Sequence, residues 1–64
     1  MRKGLELVVD EPVAGHFHWV VLGREVFGQP RQAIDRSPAP FATYRQAMEA
    51  GIVAMRRHME PLPA

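Results

Sequence analysis

Two histidines, His16 and His18, have the residue type and the spacing of a possible zinc site in this 64-residue chain. Side chains two residues apart on a β-strand point to the same face, as they do in the His-x-His pairs that bind zinc in metalloenzymes. A zinc site needs three or four protein ligands. If the preceding segment forms a hairpin with this strand, Asp10 is expected across from His16, and Glu6 diagonal to His18. The simpler interpretation is that both histidines lie on the solvent face of an antiparallel sheet, and we therefore predict no metal site.

Other residues that could carry catalysis are scarce. The chain has no cysteine, and its one serine and one threonine have structural explanations, since Ser37 precedes a proline and Thr43 is suited to cap a helix. Gly23 and Gly28 have the spacing of a phosphate-binding loop, but Gln-Pro follows where that loop needs a lysine and a hydroxyl residue. A chain this short also leaves little room for a ligand pocket. We predict no catalytic residues, no cofactor and no enzymatic activity.

The charge balance argues against a dedicated nucleic-acid binder. Eight Lys and Arg residues against seven Asp and Glu residues give a formal net charge of +1, whereas such binders usually carry a strong basic excess. Arg45, Arg56 and Arg57 could still contact phosphates from one helix, so nucleic-acid binding is the alternative function. The absence of cysteine favours a cytoplasmic protein. No segment approaches the ~18 apolar residues of a membrane span, so no membrane partner is expected.

Two segments near the N-terminus show the period-two alternation of β-strands. Their apolar residues are Leu5, Leu7 and Val9 in the first segment, and Phe17, Trp19 and Val21 in the second. The intervening DEPVAG contains Pro12 and Gly15 and predicts a turn, so the two strands should form a hairpin. Only a register that matches the two apolar faces keeps one face out of solvent. That register pairs Val9 with Phe17, Leu7 with Trp19, and Leu5 with Val21.

The C-terminal half predicts a short strand and then a helix. Glycines and prolines interrupt residues 23–40 and leave room only for a third strand near residues 32–36, at a sheet edge. From Thr43 the apolar period becomes helical, and Thr43 with Gln46 forms a capping-box pattern. The predicted inward stripe of this helix is Tyr44, Ala47, Met48, Gly51, Ile52, Met55 and Met59. A glycine in such a stripe suits a close approach to a bulky neighbour, which we expect to be Trp19.

The segment AIDRSPAPFATYRQAMEAGIVAMRR combines a short strand, an aromatic residue and a patterned helix. The helix pattern is A-x-x-x-G-I-x-x-[MV]-[KR], matched here by Ala47, Gly51, Ile52, Met55 and Arg56. This segment resembles the last strand and helix of the YegP-like family of small bacterial domains of unknown function, and HFHWVVL is similar to that family's Y-x-F-x-L strand. The resemblance implies three antiparallel strands followed by a helix, and no catalytic residues. This chain differs in its inserted REVFGQP and in lacking an Asn-Gly-type turn before the last strand.

We therefore predict one α+β domain over residues 1–64, with an ordered core at about residues 4–60. A three-stranded antiparallel β-meander is followed by one C-terminal α-helix packed on one sheet face. The other face would expose apolar residues, which either a second copy would bury or REVFGQP would cover with Phe27. The predicted function is a non-enzymatic protein-interaction or self-associating module, with a homodimer or another protein as partner. The predicted interaction face consists of Val8, His16, His18, Val20 and Leu22.

Overall fold

The predicted strand and helix patterns correspond to four elements of the folded chain. A computed structural model describes residues 4–59. It contains strands β1 (Glu6–Val13), β2 (His16–Leu22) and β3 (Ala33–Arg36), followed by helix α1 (Tyr44–Met59). The strands form one antiparallel sheet in the order β1-β2-β3, and α1 packs on β1 and β2. The predicted α+β class is confirmed, while residue 60, the last of the predicted core, lies outside the described residues.

The β1–β2 hairpin keeps the predicted faces but has a different register. Val9 lies opposite Trp19, and Leu7 lies opposite Val21. Each β1 residue therefore pairs two positions further along β2 than we predicted. A shift of two residues leaves every side chain on its predicted face, because the period of a strand is two.

The register differs because the hairpin turn is tighter than DEPVAG suggested. Val13 pairs with His16, and Gly15 has a φ of 79°, which glycine adopts without strain. If the strands continued in the register of the Val13–His16 pair, the apolar residues of β1 and β2 would lie on opposite faces of the sheet. An irregularity between Asp10 and Val13 inserts one extra residue and restores the match. The irregularity contains Pro12, a residue that strands tolerate at such positions.

β2 is the central strand and is paired on both sides. Beyond β3, the Ser37 amide donates to the Trp19 carbonyl at 2.9 Å. Phe17 and Phe41 then exchange two backbone hydrogen bonds of 2.9 and 2.7 Å. Residues 38–40 separate these two contacts and contain two prolines, which cannot donate to a sheet ladder. The chain thus follows β2 from Ala33 to Phe41 with one short detour.

α1 begins at its predicted cap and approaches the sheet most closely at Gly51. The Gln46 amide donates to Thr43 Oγ1 at 3.1 Å, so the cap is confirmed. A Cβ atom at position 51 would lie 2.6 Å from Leu7 Cδ1 and 2.7 Å from Trp19 Cβ, which leaves no room for a side chain. Trp19 is 7% exposed. The predicted packing of Gly51 against a buried Trp19 is confirmed.

The face that α1 turns toward the sheet matches the predicted stripe only in part, at Ala47, Gly51 and the half-buried Met55. The buried residues of the helix are Ala47, Gly51 and Ala54. Tyr44, Ile52 and Met59 were expected to face the core, but they are 54%, 38% and 60% exposed. Small residues face the sheet because they let the helix backbone approach Trp19, and the longer apolar side chains are left to one side. No helix within residues 4–59 has the length and the apolar character needed to cross a membrane.

The connection between β2 and β3 projects a tight turn into solvent. The Gln29 amide donates to the Val26 carbonyl at 2.9 Å. Gly28 has a φ of 78°, which is typical of the third residue of a type II turn. Phe27 precedes it at the tip of the turn and is fully exposed. The expectation that REVFGQP covers the sheet with Phe27 is therefore wrong.

Candidate interaction surface

The sheet face opposite α1 exposes less apolar surface than the sequence predicted. Val20 is 8% exposed, and Val8 and Leu22 are half-buried. Val20 lies on the central strand, between Val8 of β1 and Arg36 of β3, so its neighbours shield it on both sides. The expectation of three exposed apolar residues on this face is wrong for that reason.

Arg31 supplies further cover at one end of this face. Its Nη1 donates to the Gly23 carbonyl at 3.2 Å and lies 3.5 Å from Glu6 Oε1. Glu6 shares the face of Val8, because the two residues are two positions apart on β1. The Arg31 side chain is largely buried. The β2–β3 connection thus covers the Leu22 end of the sheet with an arginine in place of the expected phenylalanine.

The two histidines have separate surroundings. His18 Nδ1 lies 3.1 Å from Ser37 Oγ, and Ser37 is buried. His16 is exposed and pairs with Val13, while Asp10 lies opposite His18 and not opposite His16. Across the described part of the chain, no three His, Asp or Glu side chains are grouped so that they could hold a metal ion. The ligand set considered from the sequence is not assembled.

Zinc is expected to bind this chain only weakly. Calorimetric titration with zinc at neutral pH should show no defined stoichiometric transition, and the Tm should not rise appreciably, because two imidazoles without a prepared set of partners are poor ligands. His16→Ala should give the same titration as the wild type. A sub-micromolar site that disappears in His16→Ala would contradict this expectation.

A row of apolar side chains lies on one side of α1, and we call it the methionine flank. It consists of Tyr44, Met48, Ile52, Met55 and Met59. At about 100° of rotation per residue, these five positions fall within an arc of about 80°. Met48 and Met55 are half-buried, and the other three members are exposed. The methionine flank is a continuous apolar surface that the sheet covers only in part.

The contacts on the side of α1 opposite the methionine flank show which side of the sheet the flank faces. Phe41 lines a shallow depression together with Gln46, Ala50 and Val53. Phe41 pairs with β2 on the side of β3. Ala50 and Val53 therefore face the β3 side of the sheet. The methionine flank, on the opposite side of the helix, faces the β1 side of the sheet.

The three arginines proposed as phosphate contacts do not form one basic face. Arg45 Nε lies 3.3 Å from Glu49 Oε2, four residues away on the exposed surface of α1. Arg56 and Arg57 are exposed in the last turn, where positive charge is favourable beside the helix C-terminus. Arg45 and Arg56 share one side of α1, whereas Arg57 is rotated from Arg56 by about 100°. These charges can stabilise the helix, and their contact with nucleic acid stays a prediction.

The methionine flank was missed as a surface because its residues were assigned to the core. A signal for it was present in the sequence. The apolar arc of α1 extends from Ala50 to Ile52 over about 200°. A helix that packs on a sheet typically needs an apolar stripe of roughly 100°. The excess width predicts apolar side chains that the chain's own sheet does not cover.

Comparison of the chain with protein-family models, with curated proteins and with solved structures finds no match. The resemblance to the YegP-like family stays a prediction.

Proposed function

We propose that this protein is a non-enzymatic interaction module that associates with a second copy of itself through the methionine flank. The exposure of Tyr44, Ile52 and Met59 along one row of α1 carries this proposal. Isolated apolar side chains are normal on a protein surface, but a continuous apolar row at helical spacing is typical of a helix that docks against a partner.

The composition of the flank suits a second copy as the partner. None of its five residues is charged, so two copies can face each other around a two-fold axis without like-charge repulsion. Methionine side chains adapt their shape to the opposing surface. A chain of 7.2 kDa buries a small core, and burial of the flank in a dimer would add stability that the monomer lacks.

The polar contacts support a role without catalysis. His18 contacts Ser37, Arg31 contacts Glu6, and His58 Nε2 lies 3.0 Å from Asp35 Oδ2. Each of these contacts joins different segments of the fold. These side chains therefore hold segments of the fold together, which leaves them poorly placed to act on a substrate.

Ile52→Glu is expected to weaken self-association by at least about 100-fold in Kd, because it places a carboxylate in the middle of an apolar interface. Val53→Glu is the matched control. Val53 is 51% exposed, but it lies on the other side of α1. Both variants place a glutamate four residues before an arginine, Arg56 or Arg57, so their effects on the helix itself are alike. Sedimentation equilibrium of the wild type and both variants measures the difference.

Two results of this experiment would contradict the proposed function. One is a wild type that sediments as a 7.2 kDa monomer at about 100 µM. The other is an equal loss of association in both variants while circular dichroism shows both to be folded. Apolar association should also persist at high salt, whereas association through charged groups should weaken.

A further inference from the structure

Among residues 4–59, no strand pairs with the outer edge of β1. The described hydrogen bonds show which backbone groups of β1 point toward that edge. Phe17 and Trp19 direct their backbone groups to the β3 side of β2, where they bond to Phe41 and Ser37. Backbone groups alternate between the two sides of an antiparallel strand. The β2 residues that bond to β1 are therefore His18, Val20 and Leu22, and their partners are Asp10, Val8 and Glu6. It follows that Leu7 and Val9 direct their N–H and C=O groups away from the sheet. The same alternation, continued to the residue before β1, gives Leu5 this direction as well.

The position of α1 determines what a second sheet at this edge would meet. At Gly51 the helix touches both Leu7 of β1 and Trp19 of β2, so at this residue it lies above the gap between these strands. Its last turn reaches the other edge of the sheet, where His58 contacts Asp35 of β3. Strands in a sheet are about 4.8 Å apart. If a second β1 paired with the first, the two helices would lie about two strand spacings, or about 9.6 Å, apart at Gly51. Packed helices are separated by 8–10 Å, and the methionine flanks would fill that space.

We propose that two copies of this chain join antiparallel along β1, with a two-fold axis perpendicular to the sheet at Leu7. The result is one six-stranded sheet with both helices side by side on one face. This arrangement rests on the proposed function, because the methionine flank is half of its interface. The outward backbone groups of β1 form the other half, since an open strand edge pairs readily with another strand.

The side chains of β1 favour the register with the two-fold axis at Leu7 over the registers with the axis at Val8 or Val9. This register pairs Leu7 with its own copy and Leu5 with the partner's Val9, and these are the residues whose backbone groups point outward. An axis at Val8 would put Glu6 opposite the partner's Asp10, and like charges directly opposite are unfavourable. An axis at Val9 would extend the pairing into the irregularity between Asp10 and Val13, which interrupts the regular strand. With the axis at Leu7, Glu6 faces the partner's Val8 and stays beside Arg31 of its own chain.

Hydrogen exchange measured by NMR on the wild-type protein tests this arrangement. The amides of Leu5, Leu7 and Val9 should exchange at least about tenfold more slowly at about 1 mM than at about 10 µM, because pairing protects them. The amide of Phe27, at the exposed turn, is the internal reference and should exchange equally at both concentrations. Rapid exchange of all three β1 amides in a protein that sediments as a dimer would overturn the strand pairing and leave the proposed function standing.

Cysteine cross-linking tests the register, because the chain has no cysteine of its own. In the proposed register, residues 6 and 8 of opposite copies form a pair with Cα atoms about 4.5 Å apart, close enough for a disulfide. A mixture of Glu6→Cys and Val8→Cys should therefore cross-link on oxidation, and neither variant should do so alone. Arg36→Cys, on β3, should remain uncross-linked. Cross-linking of Val8→Cys alone would overturn the axis at Leu7, and a wild type that stays monomeric would overturn the proposed function itself.

Discussion

Trp19→Ala is expected to lower the free energy of unfolding by about 3–5 kcal/mol and to leave the domain largely unfolded. Trp19 is 7% exposed and forms the core with Val21 and Ala54. A domain of this size has a net stability of only about 3–5 kcal/mol. The loss of this one side chain is therefore comparable to the whole stability of the fold.

Phe27→Ala is the matched control for Trp19→Ala. It also removes an aromatic side chain, but Phe27 is fully exposed, so its loss should change stability by less than about 0.5 kcal/mol. Urea unfolding followed by circular dichroism, at one protein concentration, measures both variants. Trp19 fluorescence in the wild type should resist quenching by acrylamide. Ready quenching, or a folded Trp19→Ala variant with an unchanged midpoint, would show that the sheet faces are assigned wrongly.

Gly51→Ala is expected to destabilise the domain by about 1–3 kcal/mol, although alanine is normally the better helix residue by ~1 kcal/mol. The added Cβ would lie 2.7 Å from Trp19 Cβ and 2.6 Å from Leu7 Cδ1. The Leu7 methyl group can rotate away, but Trp19 Cβ is held by the backbone of the central strand. The helix would have to move outward and lose packing along its length.

Gly4→Ala provides the comparison for Gly51→Ala. Among residues 4–59, no atom beyond the adjacent residue lies within 4 Å of the Cβ that this substitution would add, so its effect should stay within about 0.5 kcal/mol. Thermal unfolding of the two variants and the wild type measures the difference. A rise in Tm for Gly51→Ala would mean that helix propensity, and not the contact with Trp19, decides the stability at this position.

Local sequence patterns were sufficient to predict where the strands and the helix form and which strand residues share a face. The alternation that places Trp19 beside Val21 predicted which side of β2 would face α1, and the hydroxyl of Thr43 predicted the start of α1. Both depend on residues close together in the chain. The close contact of Gly51 with Trp19 was also predictable, because a glycine in an apolar helical stripe and one large aromatic residue in the sheet have few other possible partners.

The hairpin register and the burial of the sheet face opposite α1 were harder to predict, because each depends on several segments of the chain at once. The register of the hairpin is set by the positive φ of Gly15 and by the irregularity near Pro12, and either feature alone would give a different pairing. The burial of Val20 depends on strands on both sides and could not be read from β2 alone. The covering of that face by Arg31 depends on the path of the β2–β3 connection, where no periodic pattern exists.

The sequence by itself determined where the strands and the helix form and which strand residues share a face, because periodicity and caps act within a few residues. The tertiary structure alone decided that the longer apolar residues Tyr44, Ile52 and Met59 of α1 are exposed. That outcome depends on how closely the helix approaches Trp19 through Ala47, Gly51 and Ala54, and on how much helix surface two strands can cover. The apolar arc of α1 is wider than the part of the helix that β1 and β2 can cover, so the methionine flank stays only partly covered on the β1 side of the sheet.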